Sequence, residues 1–313
     1  MPKPVILDVD PGVDDALAIL LALRSEELEV RALTVVNGNV PLISGVENAL
    51  KVVELAGRGD IPVYGGAERP LRRDAIHAKT FHGESGLGDA RLPTPSISAH
   101  GDAVDFMKTA LRSEPGVVTV VALGPLTNLA LVEQRDPGIL QCARQIVVMG
   151  GALHSPGNVA PHSEFNFFVD PDAARAVIRS GAALTLVPLD ATRIVDLSRE
   201  ELQQQPKTNE SPAARFCEDA TRVGMAIAER MSGGAVFYLH DPLAVATTID
   251  ASICNYEEYW IDIETEGELT AGQVVFDRRM YANEADRTGR RIRCAVTADR
   301  QRMLRLFFDR ALA

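Results

Sequence analysis

Short apolar runs alternate with amphipathic segments along the first two thirds of the chain. Residues 5–9 and 117–123 are rich in β-branched apolar side chains, as in strands buried on both faces. Residues 14–24 begin with two acids and continue as an apolar segment of helical length, where the helix dipole favours negative charge first. The same rhythm predicts strands at 30–36, 61–64, 145–149 and 184–187, and helices at 44–56, 100–112, 125–134 and 171–180. This alternation predicts an α/β fold with a mostly parallel central sheet flanked by helices.

The pattern loosens after about residue 195. Its spacing predicts helices at 212–231, 241–248 and 297–311 and a strand at 259–265. In the second of these helices we expect Asp241 to act as the N-terminal cap before Pro242. The polar residues 203–211 are too few for a domain linker and are interpreted as a loop. We therefore expect a single domain over residues 1–313.

Composition narrows the class of protein. The chain has 32 Lys and Arg against 43 Asp and Glu, a net charge of −11. This balance argues against a protein that binds nucleic acid backbones or a membrane surface, since both need a basic face. The longest apolar run, residues 16–23, is about half of the ~20 residues that span a bilayer, and the amino terminus lacks the apolar core of a signal peptide. The four cysteines form no CxxC pair, which favours buried reduced thiols in a cytoplasmic protein.

Polar or glycine-rich residues follow four of the predicted strands. In parallel α/β sheets, ligands bind beyond the carboxyl ends of the strands, so these four segments are expected to meet in one site. They are the acidic segment 8–15, the segment 37–39 (NGN), the segment 124–128 (GPLTN) and the long loop that starts at Gly150 and carries Asn158, Glu164 and Asn166.

The acidic segment has four carboxylates within eight residues, DVDPGVDD. Such a cluster repels itself unless a cation neutralises it. Its ligands are hard oxygens with no cysteine or histidine nearby, which favours Ca²⁺ or Mg²⁺ over zinc or copper. The Pro11-Gly12 turn would let Asp10 and Asp15 converge on one ion.

Two histidines are candidates for acid–base chemistry. His240 follows a Gly-Gly break, and the adjacent Asp241 could supply another oxygen to the metal. A histidine beside a metal-bound substrate is a natural general acid near neutral pH. His82 lies in a glycine-rich loop, HGESGLG, which is a common place for catalytic side chains.

Taken as a set, seven motifs resemble the inosine-uridine-preferring nucleoside hydrolases. They occur in the order of that family and span residues 5 to about 248. The motifs are DVDPGVDD from Asp8, GN at Gly38, HGESGLG from His82, LGPLTNLA from Leu123, VMGGA from Val148, GNVAPHSEFNFFVDPDAA from Gly157 and HDP from His240.

The resemblance implies the nucleoside-hydrolase fold and a Ca²⁺ ion at the carboxyl edge of the sheet. It assigns the metal to the side chains of Asp10, Asp15 and Asp241 and to the backbone carbonyl of Leu123. It places Asp8 behind these ligands, in contact with one of them. The remaining substrate residues that it implies are Asp14, Asn39 and Asn166 for the ribose 2′- and 3′-hydroxyls, Asn158 and Glu164 for the 5′-hydroxyl end, and Met149 for the wall of the sugar pocket.

The activity implied is hydrolysis of the N-glycosidic bond of a ribonucleoside to free base and ribose. Asp10 would take a proton from the attacking water, while His240, or in second place His82, would protonate the leaving base. We expect a small-molecule ribonucleoside substrate, no nucleic acid or membrane partner, and a homodimer or homotetramer. Phe237 and Tyr238 are equally compatible with stacking on the base and with ordinary packing, and the single Trp260 argues against a purine-stacking subgroup, so the base preference stays open.

Two other functions fit the acidic segment less well. A haloacid-dehalogenase-like phosphatase also begins with Asp-x-Asp after a strand, but here Gly12 occupies the position where that chemistry needs a threonine or valine. A calcium-dependent nucleoside or sugar receptor without catalysis would need neither Asp10 nor His240.

Overall fold

The computed structural model of the protein describes residues 1–205 and 211–312. Part of the predicted polar loop, residues 206–210, lies outside the described residues. The strands are β1 (Lys3–Val9), β2 (Leu28–Val35), β3 (Val63–Gly65), β4 (His100–Asp102), β5 (Thr119–Ala122), β6 (Gln145–Met149), β7 (Leu184–Val187), β8 (Asp196–Ser198), β9 (Val236–Tyr238), β10 (Cys254–Ile263), β11 (Val274–Phe276) and β12 (Arg290–Ala298). The α-helices are α1 (Val13–Leu23), α2 (Leu42–Leu55), α3 (Lys79–His82), α4 (Ala103–Ser113), α5 (Thr127–Arg135), α6 (Phe165–Val169), α7 (Pro171–Arg179), α8 (Leu189–Thr192), α9 (Arg199–Gln203), α10 (Pro212–Ser232), α11 (His240–Ile249) and α12 (Arg300–Ala311).

Ten of the strands form one sheet in the order β11-β10-β12-β7-β6-β5-β1-β2-β3-β4. From β4 to β12 every neighbouring pair is parallel, and only β10 runs antiparallel to its neighbours β12 and β11. The predicted mostly parallel α/β sheet flanked by helices is therefore confirmed. Strands β8 and β9 form a separate antiparallel pair beside it.

Apolar side chains fill both faces of the sheet. One buried cluster joins β1 and β2 to α1, α11 and α12, and the other joins β5 and β6 to α4, α5 and α7. Helix α1 is buried along its whole length, which explains why its sequence is apolar on every side after the two acids. Helix α11 packs beside it, so the start of α11 reaches the carboxyl edge of the sheet next to the start of α1.

The structure differs from the predicted elements mainly in the last third. Asp241 does not cap α11; it lies inside the first turn, because the helix begins one residue earlier, after Leu239. Residues 297–298, predicted as helix, belong to strand β12, and Asp299 caps α12 by accepting the backbone amide of Arg302. Among the helices of the described residues, none has both the length and the apolar composition needed to cross a bilayer.

Candidate active site

The four polar segments come together because their strands are neighbours. Strands β6, β5, β1 and β2 are adjacent in the middle of the sheet and parallel, so all four carboxyl ends open at one edge. Residues 8–15, 37–39, 124–128 and the start of the loop after β6 therefore surround one site.

The turn between β1 and α1 is organised by Asp15. Its carboxylate accepts the backbone amides of Asp10 and Gly12, each at 3.0 Å, and the side-chain amide of Asn39 at 3.1 Å. A side chain at Gly12 would overlap the ring of His82 and the amide of Asn39, so the turn needs glycine there. The acidic segment is thereby folded back on itself, and Asp14 and Asp15 at the start of α1 lie beside Asp10 at the end of β1.

Three carboxylates from two helices form a compact buried group. Asp14 and Asp15 at the start of α1 and Asp241 in the first turn of α11 place one oxygen each within 4.8 Å of one another. Burial raises the pKa of both Asp14 and Asp15 to about 6, and burial together with the neighbouring carboxylates raises that of Asp241 well above its usual value. Like charges so close in a dry site are unstable without a cation, so this group fits a metal ion.

Asp10 lies beside this group with half of its carboxylate free. Its Oδ2 accepts the backbone amide of Asn39 at 2.6 Å, whereas its buried Oδ1 has no hydrogen-bond partner within the described ranges. Backbone from two loops packs against it, since a side chain at Gly38 would overlap the carboxylate and one at Gly124 would lie 2.6 Å from Oδ1. Burial, and then the charge of Asp15, raises the pKa of Asp10 well above its usual value. The free, desolvated oxygen suits either a metal contact or proton acceptance.

The side chain of Asn166 joins the ends of β5 and β6. Its Nδ2 lies 2.6 Å from the carbonyl of Leu123 and 3.2 Å from that of Met149. Leu123, a predicted metal ligand, and Met149, predicted to line the sugar pocket, are therefore both in contact with a predicted ribose residue. The assignment of the Leu123 carbonyl to a metal stays a prediction, because its contact in this structure is the amide of Asn166.

Glu164 and Asn158, both assigned to the 5′-hydroxyl end, are placed very differently. Glu164 is buried and caps α6, accepting the amides of Gly151, Asn166 and Phe167. Burial raises its pKa to about 7. Asn158 is exposed on the loop, with its backbone amide donating to Ser163. Glu164 is thus buried behind the end of β6, whereas Asn158 is exposed on the loop that follows this strand.

The ring of His82 is held by the start of α1. Its Nδ1 accepts the backbone amide of Val13 at 3.0 Å and lies 3.8 Å from Oδ1 of Asp14. Because a backbone amide can only donate, Nδ1 is unprotonated and the neutral ring carries its hydrogen on Nε2. Burial lowers the pKa of His82 to about 4. The structure therefore places the acceptor nitrogen of a neutral imidazole beside Asp14, and the N–H donor is the other ring nitrogen.

His240 is held on the other side by α8. Its Nδ1 lies 2.7 Å from the hydroxyl of Thr192, and its ring is 5.6 Å from that of Tyr238. Burial, and then the positive charge of Arg193 and of His82, lowers the pKa of His240 to about 3. Of the two aromatic residues considered for the base, Phe237 is buried against the backbone of Gly224, whereas Tyr238 is exposed next to His240.

Asp8 contacts a predicted metal ligand through its backbone, and its carboxylate bonds other residues. Its carboxylate accepts Thr34 at 2.7 Å and Asn128 at 2.8 Å, and neither residue is a predicted metal ligand. It is instead the backbone carbonyl of Asp8 that contacts Leu123, by accepting its amide at 2.7 Å. The charge of the carboxylate is held below the site rather than in it, and burial raises its pKa to about 7.

Four residues around the site were not predicted from the sequence: Thr34, Asp190, Thr192 and Arg193. Three of these lie at or just after α8, which follows β7 at the same edge of the sheet. The rule applied to the other strand ends, extended to β7, would have found them. Thr34 lies inside a strand and carried no such signal.

Comparison with known proteins identifies the family. The sequence profile of the inosine-uridine preferring nucleoside hydrolases matches residues 5–305. The chain belongs to this family. A nucleoside hydrolase breaks the bond between base and ribose, so the protein is an enzyme, a ribonucleoside N-glycosidase. Membership of this family excludes the two alternative functions, the phosphatase and the non-catalytic receptor.

Relatives of this nucleoside hydrolase cover nearly the whole chain. The pyrimidine-specific ribonucleoside hydrolase RihA of Citrobacter koseri is 38% identical over 88% of this chain and 89% of its own length. A plant nucleoside hydrolase superposes with a TM-score of 0.90 at 33% identity, covering 100% of both chains. The purine-preferring ribonucleoside hydrolase of Gardnerella vaginalis also gives a TM-score of 0.90, at 34% identity, over 99% of this chain and 98% of its own.

Proposed function

We propose that this nucleoside hydrolase acts on ribonucleosides with the help of a Ca²⁺ ion held by Asp10, Asp15, Asp241 and the carbonyl of Leu123. The observation that carries this proposal is the buried group of Asp14, Asp15 and Asp241, with one oxygen each within 4.8 Å of one another. Two of its members are proposed ligands, and the third carboxylate ligand, Asp10, lies beside the group with its Oδ1 unpartnered among the described residues. The proposed ligands are hard oxygen donors from three segments, namely the turn between β1 and α1, the end of β5 and the start of α11. Such a set suits the irregular coordination of Ca²⁺ better than the strict octahedron of Mg²⁺. When bound, the ion would neutralise the carboxylates, orient the ribose diol and lower the pKa of a coordinated water.

Asp10 is the proposed general base. Its Oδ2 is fixed by the amide of Asn39, so the carboxylate has one orientation and its buried Oδ1 is available to take a proton from the attacking water. Gly38 and Gly124 have no side chain, so their backbone lies against the Asp10 carboxylate. This close packing excludes bulk water from Oδ1. A desolvated carboxylate is a stronger base than one in water, which favours this role.

The ribose is proposed to lie across the exits of β1, β2 and β6. Asp14, Asn39 and Asn166 would bind its 2′- and 3′-hydroxyls, with Met149 against the sugar and Glu164 and Asn158 at the 5′ end. Asp14 supports this assignment because its buried Oδ1 has no hydrogen-bond partner within residues 1–205 and 211–312. A buried acceptor that lacks a donor favours a ligand that brings a hydroxyl.

His240 and His82 are proposed to act on the leaving base as neutral N–H donors. The low pKa of each ring means that neither carries a positive charge near pH 7 in the free protein. His82, with its hydrogen on Nε2, can still donate to the base nitrogen as negative charge develops there, and His240 would do the same in the tautomer whose Nδ1 accepts the hydroxyl of Thr192. His240 stays the first candidate because it lies next to the exposed Tyr238, which is compatible with stacking on the base.

The choice of base is left open by the relatives, since one is named as pyrimidine-specific and another as purine-preferring. The homodimer or homotetramer and the cytoplasmic location expected from the sequence stay predictions.

The decisive experiment measures base and ribose released from inosine, guanosine, uridine, cytidine and their 2′-deoxy forms, with Ca²⁺ and without phosphate. We expect ribonucleosides to be hydrolysed at least about 100-fold more efficiently than the 2′-deoxy forms, because a missing hydroxyl leaves buried polar partners unpaired. Strict dependence on phosphate, with ribose 1-phosphate as product, would contradict hydrolysis.

A further inference from the structure

The short helix α8 contacts two parts of the site at once. It follows β7 at the carboxyl edge of the sheet, and its residue Thr192 bonds the ring of His240. On another side the same helix and the next residue, Arg193, meet the loop after β6. None of these residues belongs to the metal or substrate set proposed above.

Asp190 binds three consecutive backbone amides of that loop. Its Oδ2 accepts the amide of Leu153 at 2.8 Å, and its Oδ1 accepts those of His154 at 2.8 Å and Ser155 at 3.1 Å. Hydrogen bonds to a carboxylate are about twice as strong as neutral ones, so this single side chain fixes the path of three residues.

Arg193 continues the contact along the loop. Its guanidinium donates to Oγ of Ser155 at 3.1 Å, to the carbonyl of Pro156 at 2.7 Å and to that of Gly157 at 2.9 Å. The backbone amide of Leu189 adds a bond to the carbonyl of Gly151 at 2.9 Å. The segment 151–157, which we call the anchored segment, is therefore held from its first residue to its last.

Both ends of the anchored segment lead to the residues assigned to the 5′-hydroxyl. At the first end, the amide of Gly151 donates to Glu164 at 2.9 Å. At the other end, Gly157 precedes Asn158 directly. The tight turn that follows closes through the bond from the amide of Asn158 to the carbonyl of Ser163.

We propose that Asp190 and Arg193 are positioning residues that hold the anchored segment so that Asn158 and Glu164 meet the 5′-hydroxyl of the ribose. The inference rests on the proposed function, because it assigns these two residues to that end of the substrate. It adds a specific expectation: damage to the anchor is felt through the 5′-hydroxyl and nowhere else on the sugar.

The test compares a ribonucleoside with its 5′-deoxy counterpart, using uridine or inosine according to which the wild-type enzyme hydrolyses faster. Asp190→Asn keeps the size of the side chain and removes its charge. We expect kcat/KM for the 5′-hydroxyl substrate to fall by about 10- to 100-fold, as is typical when a supporting contact is lost. For the 5′-deoxy substrate, which has no hydroxyl to misplace, the expected loss is within about threefold.

Glu133→Gln is a matched control for Asp190→Asn. The Glu133 carboxylate also accepts two backbone amides of a loop, those of Gly138 at 2.7 Å and Leu140 at 3.1 Å. That loop lies at the amino edge of the sheet, before β6, so its variant is expected to leave both substrates unchanged.

Arg193→Lys is the second variant and covers the case in which Asp190→Asn does not fold. Lysine keeps the charge but lacks the planar fork that reaches three acceptors, so the same selective loss is expected. Asp190→Asn is the cleaner test because Arg193 also acts on the pKa of His240.

An equal loss on both substrates would overturn the inference and leave α8 with a general structural role. A wild-type enzyme that does not distinguish the 5′-hydroxyl from the 5′-deoxy substrate would overturn it as well. The proposed function fails by a different result, namely no release of base from any ribonucleoside by the wild-type enzyme.

Discussion

Aspartates lie at both edges of the central sheet, but their surroundings are opposite. At the amino edge, carboxylates such as Asp60 and Asp136 are paired with arginines, Arg58 and Arg112, on the surface. At the carboxyl edge, Asp10, Asp14, Asp15 and Asp241 are buried against one another, and burial raises their pKa values. Exposed ion pairs contribute little to the stability of the fold, so either partner can be replaced at little cost. Buried like charges destabilise the fold unless a bound ligand neutralises them. The comparison distinguishes surface carboxylates, which keep the protein soluble, from buried carboxylates, which belong to a binding site.

The largest expected effect comes from removing the carboxylate of Asp10 at the carboxyl edge. Asp10→Asn should lower kcat by at least about 1000-fold, because the amide can neither accept the proton nor bind the metal as strongly. The metal-free variant should nevertheless melt at or above the temperature of the metal-free wild type, since a buried charge has been removed. Steady-state kinetics and thermal melting by circular dichroism measure both.

Asp60→Asn is the control at the amino edge. Asp60 forms an exposed ion pair with Arg58 at 2.8 Å, so its loss should change stability by less than about 1 kcal/mol and leave kcat unaltered. Wild-type turnover by Asp10→Asn, or a large loss of activity in Asp60→Asn, would break the comparison.

A smaller effect is expected from His240→Ala. Loss of the leaving-group donor should reduce kcat for natural nucleosides by about 100-fold. A riboside with an activated leaving group such as 4-nitrophenol needs no such help and should lose less than about fivefold. Losses of equal size on both substrates would show that His240 does not act on the leaving base.

The smallest expected effect concerns stability against pH in protein treated with a chelator. The pKa values of Asp14 and Asp15 are raised to about 6 and those of Asp8 and Glu164 to about 7. The lowered pKa values of His82 and His240 act in the opposite direction but involve fewer groups, so between about pH 4 and pH 7 the folded state binds more protons than the unfolded state. Stability therefore falls as the pH rises through this window. We expect the melting temperature of the metal-free protein to drop by about 5 °C or more from pH 5 to pH 8. Saturating Ca²⁺ should reduce this drop, and a metal-free protein that becomes more stable over the same range would contradict the assignment.

The sequence allowed the central part of the fold to be predicted because its signals are local. Strand β1, helix α1 and the acids between them are contiguous, and the exit rule needs only that β6, β5, β1 and β2 be parallel neighbours. The short strands β4, β8, β9 and β11 have three residues each, too few for a periodic pattern.

The contacts that the sequence could not predict are those between distant segments. Asp190 and Leu153 are 37 positions apart, and Asp8 and Asn128 are 120 apart. Nothing in the local pattern of either member reveals the other. Asp299 did carry a local signal, because an aspartate before a helical pattern is a typical cap, and it would have placed the start of α12 correctly.

The glycines that press on Asp10 have a consequence for changing the enzyme by design. A side chain at Gly38 or Gly124 would collide with the carboxylate, so neither glycine can be replaced without moving Asp10. Phe81 and Tyr238 are 44% and 37% exposed and lie close in sequence to the two histidines. A mutant library that seeks a new leaving group should therefore vary Phe81 and Tyr238 and keep Gly38 and Gly124. Selectivity for the base could then change while the residues proposed to bind the metal and the ribose stay in place.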